Sequence, residues 1–131
     1  MRFEIINPEA LGAPKGWNNG LLAPSGGRLL FIAGQTGCDE GGDFAGQFGR
    51  ALDKVIAVLR EAGGEPQDLA RLTIYVTDLA AYRASLKALG EGWRARLGKH
   101  YPAVALLEVS GLVDVGAVVE IEATAVLAGK P

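Results

Sequence analysis

The sequence contains one cysteine, Cys38, and one histidine, His100, among its 131 residues. A single cysteine excludes a disulfide bond within the chain. One cysteine and one histidine do not form the usual zinc ligand sets, so we expect no metal site unless carboxylates or a second chain contribute ligands. Cys38 lies between a Thr-Gly pair and an Asp-Glu pair, and we interpret it as an ordinary loop residue.

The sequence also lacks a long apolar run and a strong charge of one sign. It has no stretch of about 18 apolar residues, and its first ten residues contain no apolar segment after a basic start. We therefore expect a cytoplasmic protein that neither spans a membrane nor carries a secretory signal. With 13 Lys and Arg against 15 Asp and Glu, the formal charge is −2, which argues against nucleic acid as a partner.

One basic cluster stands out against this acidic balance: Arg94, Arg96, Lys99 and His100. It falls at the end of a predicted helix, where cations complement the exposed carbonyl groups of the last turn. We favour this structural interpretation over an anion-binding site.

The most regular pattern in the chain is the alternation over Val118–Leu127. Period-two alternation with β-branched residues predicts a strand that is buried on one face. The opposite face carries Glu120 and Glu122, which makes it a candidate functional surface; a solvated outer face is the alternative. The predicted buried face consists of Val119, Ile121, Ala123, Ala125 and Leu127.

The other segments predict an α+β fold in a single domain over residues 1–131. Leu29–Ala33 is apolar on both faces, so we expect a central strand. Asp43 is the expected N-cap of a helix that stops at Gly63, and Asp78 is the expected N-cap of a second helix. Further strands are predicted at Arg2–Ile6, Gly20–Ala23, residues 69–78 and residues 103–110.

The second helix has an apolar stripe of Leu79, Tyr82, Leu86, Leu89, Trp93 and Leu97, weakened but not interrupted by Gly90 and Gly92. We expect its aromatic residues in the core and both helices on one face of a mixed sheet. The other face then carries Val104, Leu106, Val118 and Val126. Burying it requires identical subunits packed sheet to sheet, and the apolar share of 49% also favours burial against copies of the chain.

Four segments, in this order, carry a resemblance to a known family: "RLLFIAGQTG", "EAGGEPQDLARLTIYVTDLAAY", "YPAVALLEVSGL" and "VVEIEATAV". The chain resembles the reactive-intermediate deaminase family (Rid, or YjgF-like). The resemblance implies a chorismate-mutase-like fold of the bacillus type and a homotrimer with a central β-barrel and ligand clefts between subunits. It also implies an enzyme without a cofactor that hydrolyses reactive enamines or imines to keto acids and ammonia.

The resemblance implies one catalytic residue and six binding positions. Glu120 matches the glutamate that positions the attacking water. Val104 matches the arginine that holds the substrate carboxylate in the family, so this wall of the cleft becomes apolar. The other matches are Trp17 at a loop tyrosine, Ala33 at a serine, Leu106 at a cysteine or small residue, and the retained backbone of Gly34 and Gln35.

The valine at position 104 removes the usual partner for a carboxylate, because a bidentate arginine contact is lost. We therefore expect Glu120 to act as a general acid or base on a less anionic ligand, aromatic or carbonyl-bearing. Lys99 or His100 is the alternative source of the missing cation. Three functions stay open: a divergent Rid-type hydrolase, a non-catalytic trimeric protein that binds a small metabolite, and an endoribonuclease or translation inhibitor.

Overall fold

A four-stranded mixed sheet with helices on one face forms the centre of the fold in the computed structural model, which describes residues 3–129. In chain order the elements are β1 (Glu4–Ile6), β2 (Gly20–Leu22), β3 (Arg28–Thr36), α1 (Phe44–Glu61), β4 (Leu69–Val76), α2 (Leu79–Ala84), α3 (Leu86–Leu97), β5 (Ala103–Glu108) and β6 (Val119–Leu127). The predicted α+β class with a mixed sheet is confirmed.

The sheet order is β3-β6-β4-β5, while β1 and β2 pair separately as a two-stranded antiparallel sheet. β6 is antiparallel to both β3 and β4. β5 runs parallel to β4, which requires a crossover, and α2 and α3 supply it.

The predicted buried face of β6 is confirmed, because the five alternating residues from Val119 to Leu127 are all buried. β6 lies between β3 and β4, so its buried face meets the helix layer across the middle of the sheet. Helix α1 packs against β6 and β3 through residues that include Leu52, Val55 and Leu59, each 0% exposed.

Both predicted helix starts are confirmed. The Asp43 side chain accepts a hydrogen bond from the Gly46 backbone N–H at 2.9 Å. The Asp78 side chain accepts one from the Ala80 N–H at 2.9 Å. Each cap satisfies a backbone donor that the first helical turn leaves free.

The prediction of one continuous second helix is wrong, so three helices cover the sheet and not two. The break falls at Ser85, where φ is −108° and ψ is 10°, and not at Gly90 or Gly92. The Ser85 hydroxyl donates to the Ala81 carbonyl at 2.8 Å, and the Ser85 backbone N–H bonds to the Tyr82 carbonyl. These bonds back to the preceding turn mark the end of α2.

The prediction of a central strand at Leu29–Ala33 is also wrong, because β3 lies at the edge of the sheet. On its helix-free face Leu29 is 61% exposed and Phe31 is 74% exposed. Both faces of β3 are apolar, as the sequence indicates, but the protein chain itself covers only one of them.

Val104 and Leu106 do not lie on the uncovered face, contrary to the expectation. They pair with Leu72 and Ile74 of β4, and they pack against the core on the helix side. Val118 also packs against this core. Val126 is paired with Leu29 and is therefore on the helix-free face, as expected.

Among the described residues, no helix has the length and the apolar composition that a membrane span needs.

Candidate functional site

A cavity of about 500 Å³ lies between the helix-covered face of the sheet and helix α3. Its floor includes Ile74, Val104 and Leu106, which sit on neighbouring strands. The loop before β2 contributes Trp17. Three of the predicted binding positions, Trp17, Val104 and Leu106, thus come together in one cavity, whose aromatic lining consists of Trp17, Phe48, Tyr82, Trp93 and Tyr101.

A set of asparagine contacts holds the Trp17 loop in place. The Asn18 amide donates to the Tyr101 carbonyl at 2.7 Å, and the Asn18 backbone N–H bonds to the Pro102 carbonyl at 3.2 Å. Asn7 donates to the Asn18 side chain at 2.8 Å. The loop is therefore fixed to the segment that enters β5, and the half-exposed Trp17 ring lines the same cavity as Val104.

Trp93 and Tyr101 form an aromatic wall. Their rings are parallel within 3°, with centroids 6.4 Å apart. The Trp93 indole N–H donates to the His100 carbonyl at 3.1 Å, which fixes the ring. The aromatic residues of the second helical segment pack against the core as predicted, and Tyr82 and Trp93 also line the cavity.

Two cations line this cavity, Lys15 and Arg94, and the sequence interpretation assigned neither of them to the site. Lys99 and His100, the alternative source of the missing cation, line a separate cavity of about 200 Å³ near Phe3. The His100 ring contacts the Leu69 carbonyl at 2.7 Å.

The basic cluster does not form one charged patch. Arg96 makes a two-pronged contact to Asp53, with distances of 2.7 Å and 3.2 Å. Arg94 and Arg96 lie in the last turn of α3, as the helix-end interpretation requires.

The other predicted site residues gather at the edge strand. β3 has a bulge between Ile32 and Gln35, and here the Gln35 amide donates to the Ala33 carbonyl at 3.0 Å. The Glu120 carboxyl lies directly over Gly34, because a Cβ at Gly34 would be 2.8 Å from Cδ of Glu120. Only glycine fits here without moving the carboxyl group. Ala33, Gly34, Gln35 and Glu120 therefore form a second cluster.

The sheet separates these two groups within one chain. Glu120 is paired with Tyr75, which is paired with Leu107, so all three share the helix-free face. Val104 and Leu106 occupy the alternate positions of β5, which face the helices. The seven predicted residues consequently fall into two half-sites: Trp17, Val104 and Leu106 at the helix-covered face, and Glu120 on the other face beside the β3 bulge of Ala33, Gly34 and Gln35.

Glu122 lies on the helix-free face and pairs across to the neighbouring strand. The Tyr75 hydroxyl donates to the Glu122 carboxylate at 2.6 Å. This hydrogen bond raises the pKa of Tyr75 above its usual value of 10.0, with smaller contributions from desolvation and from the charges of both glutamates.

A polar network ties together the loops around Cys38. The Thr36 hydroxyl donates to Asp114 at 2.5 Å, and Lys54 contacts both the Thr36 carbonyl and Asp39 at 2.8 Å. The hydrogen bond from Lys54 lowers the pKa of Asp39. Cys38 is half-buried in this loop, with its sulfur 3.8 Å from the Thr36 hydroxyl.

Among residues 3–129, no group of three or more His, Cys, Asp or Glu side chains is arranged to hold a metal ion.

Comparison with known proteins identifies the family. The family model described as "Endoribonuclease L-PSP" matches residues 9–127. A RutC family protein of Pyrococcus abyssi is 31% identical over 131 residues, which cover 95% of this chain and 98% of the relative.

Solved structures agree with this assignment. A protein of unknown function from the conserved Rid family, YyfB of Yersinia pestis, superposes with a TM-score of 0.82 at 32% identity, covering 97% of this chain and all of its own. Rv2704 of Mycobacterium tuberculosis, a member of the YjgF/YER057c/UK114 family, gives a TM-score of 0.66 at 31% identity, covering 96% of this chain and all of its own. The chain therefore belongs to the Rid/YjgF family, also described as the endoribonuclease L-PSP family.

Proposed function

We propose that this protein is a divergent Rid-type hydrolase that converts a reactive enamine or imine to a carbonyl compound and ammonia. In this proposal three copies form a homotrimer with a central β-barrel. The cavity on the helix side of one copy and Glu120 of another meet in a cleft between subunits, and the active site needs both.

The exposed apolar residues of the helix-free face support an assembly of this kind. Leu29 is 61% exposed, Phe31 is 74% exposed and Leu107 is 42% exposed, all on the face that carries Glu120. Large apolar side chains exposed together favour burial against another surface. A second copy covering this face would also exclude water from the surroundings of Glu120.

The observation that carries the proposal is the position of Glu120 against Gly34. The carboxyl group is held over a strand bulge with no side chain beneath it, half-buried and close to the backbone of Gly34 and Gln35. Bulges are common beside active sites because they redirect a side chain or expose backbone groups. We assign to Glu120 the role of orienting a water molecule, with the neighbouring backbone contacting the substrate.

The reaction transfers only protons and water, so no step needs a cofactor. Water adds to the carbon of the protonated imine while Glu120 takes one of its protons, which gives a neutral carbinolamine. Glu120 then returns this proton to the nitrogen, the carbon–nitrogen bond breaks, and ammonia leaves as the hydroxyl proton passes to solvent and the carbonyl forms. A carboxyl group that alternates between base and acid suits both steps.

The decisive experiment measures ammonia and carbonyl release from freshly generated imines with the wild type and with Glu120→Gln. One set of imines carries a carboxylate and a matched set does not. We expect turnover by the wild type and a loss on the order of 100-fold or more in Glu120→Gln, the size typical of a general acid–base group.

Glu122→Gln is the matched control, because Glu122 lies two residues away on the same face and is engaged with Tyr75. It should retain the wild-type rate. Equal turnover by the wild type and by Glu120→Gln would exclude the proposed role of Glu120.

A non-catalytic binding protein is the second candidate, and Val104 favours it. The cavity has an apolar floor where the family's arginine would stand, and it is separated from Glu120 by the sheet. Absence of turnover for both imine sets, together with retained binding of a small ligand, would favour this function. The endoribonuclease alternative has no comparable support, because the basic cluster at the end of α3 does not form one surface. Arg96 pairs with Asp53, Arg94 lines the cavity, and His100 contacts a backbone carbonyl.

A further inference from the structure

We propose that the larger cavity selects a planar ligand bearing an acid group, and that Arg94 of α3 supplies the charged contact for this group. The inference depends on the proposed function only in taking this cavity as the ligand site. Its cation comes from a helix and not from position 104, so the acid group would lie at the helix side of the cavity.

The guanidinium of Arg94 is available for a ligand. Arg94 makes no hydrogen bond or ion pair with another side chain among residues 3–129, whereas Arg96 on the same helix is held by Asp53. Other surface arginines are also free, but Arg94 is the arginine in the described cavity lining.

Gly90 explains how the arginine reaches the cavity. A Cβ at Gly90 would lie 3.4 Å from Nη1 of Arg94, so the side chain folds back over the preceding turn of α3. Gly90 itself lines the cavity. Glycine is, after proline, the least favourable residue in a helix interior, and here it leaves the space that the guanidinium uses.

The charge of the lining is one-sided. It contains Arg94 and Lys15 but no aspartate or glutamate from the part of the chain that is described. The whole sequence has a formal charge of −2, so its composition does not explain why both charged residues of the lining are cations. A guanidinium forms bidentate hydrogen bonds with carboxylates and other planar acid groups.

The remaining lining favours a ring. Trp17, Trp93 and Tyr101 present aromatic surfaces above a floor of aliphatic residues, and the volume of about 500 Å³ is in the range of small-molecule sites. A ligand with an aromatic ring and one acid group would contact both parts of the cavity.

Equilibrium binding of phenylacetate and of neutral phenylacetamide tests the inference. Both tryptophans of the chain line the cavity, so quenching of their fluorescence reports occupancy. We expect phenylacetate to bind the wild type more tightly. Arg94→Gln should weaken phenylacetate about tenfold and leave phenylacetamide unchanged, as loss of one charge-assisted contact predicts.

Two variants serve as comparisons. Arg83→Gln removes the same charge from an exposed site of α2 outside the cavity and should bind as the wild type does. Lys15→Gln should weaken phenylacetate less than Arg94→Gln, because an ammonium lacks the bidentate geometry. Added salt should reduce the preference for the acid more in the wild type than in Arg94→Gln.

Equal binding of acid and amide by the wild type, no binding of either, or unchanged phenylacetate binding in Arg94→Gln would each overturn the inference. Measuring imine turnover by the wild type alongside phenylacetate binding separates this inference from the proposed hydrolysis. If imines are not turned over but the Arg94-dependent preference for phenylacetate holds, the hydrolase proposal fails and the charged site stands.

Discussion

The two faces of the sheet are built from alternate residues of the same strands, yet they differ in what covers them. On the helix side Leu72, Val119 and Ile121 are each 0% exposed. On the other side Phe31 is 74% exposed and Leu107 is 42% exposed. One face is completed within the chain, while the other exposes large apolar side chains beside Glu120 and Glu122.

The candidate site divides in the same way. The helix-covered face holds an aromatic cavity with two cations, and the open face holds Glu120 above the β3 bulge. Binding surface and acid–base group are thus assigned to opposite faces. We infer that folding depends on burial of the helix-covered face, whereas the proposed chemistry uses groups on both faces.

A leucine-to-alanine substitution on each face should give the largest difference, which is in the free energy of unfolding. Leu72→Ala removes a fully buried side chain from the helix-covered face and should lower the free energy of unfolding by about 3 kcal/mol. Leu107→Ala on the open face should cost about 1 kcal/mol in dilute protein, because less apolar surface is lost. Urea unfolding at low protein concentration measures both, and equal costs would contradict the distinction.

Gly34→Ala tests the Glu120 half-site. The added methyl group cannot coexist with the present position of the Glu120 carboxyl, so one of the two must move. A displacement of about 1 Å at a catalytic group costs on the order of 100-fold in rate, and we expect a loss of that size in imine turnover. Gly111→Ala is the control, since a Cβ there meets nothing within 4 Å. Equal activity of the two variants would remove the reason for glycine at position 34.

Phe31→Asp tests whether the open face joins copies. A charge on a face buried between subunits should dissociate the assembly and reduce the mass in solution threefold, from three copies to one. Light scattering after size-exclusion chromatography measures this mass. Val113→Asp is the control: it changes a loop residue that is 95% exposed, and it should keep the wild-type mass. A wild-type protein that is already monomeric would contradict the proposed trimer.

The sequence predicts elements well where one local pattern determines them. β6 alternates strictly, and α1 has a cap at Asp43 and an apolar stripe that ends where the helix ends. The break at Ser85 was missed because it depends on one hydroxyl bonding to the Ala81 carbonyl, while the apolar stripe continues through it.

The local pattern does not determine which face of the sheet a residue occupies, or whether a strand lies at the edge of the sheet. Both alternating sets of β5 begin with apolar residues, so the pattern alone does not tell whether Val104 or Ala105 faces the helices. The register with Leu72 decides it. Likewise, an apolar strand such as β3 indicates that both faces are to be covered, but not by which chain. The cavity cation was missed for this reason, since Arg94 reaches the site only through the packing of α3 on the sheet.

The smallest predicted effect concerns Tyr75 and Glu122 on the open face. The neutral phenol donates to the carboxylate, and ionisation would place two negative charges side by side, so the pKa of Tyr75 lies above 10.0. A raised pKa contributes stability below the unfolded value, which is lost as the pH rises through the folded value. Glu122→Gln should move the pKa of Tyr75 down toward 10.0, as measured by tyrosinate absorbance during an alkaline titration. Tyr75→Phe should remove the raised tyrosine titration, and its persistence would show that another tyrosine carries the shift.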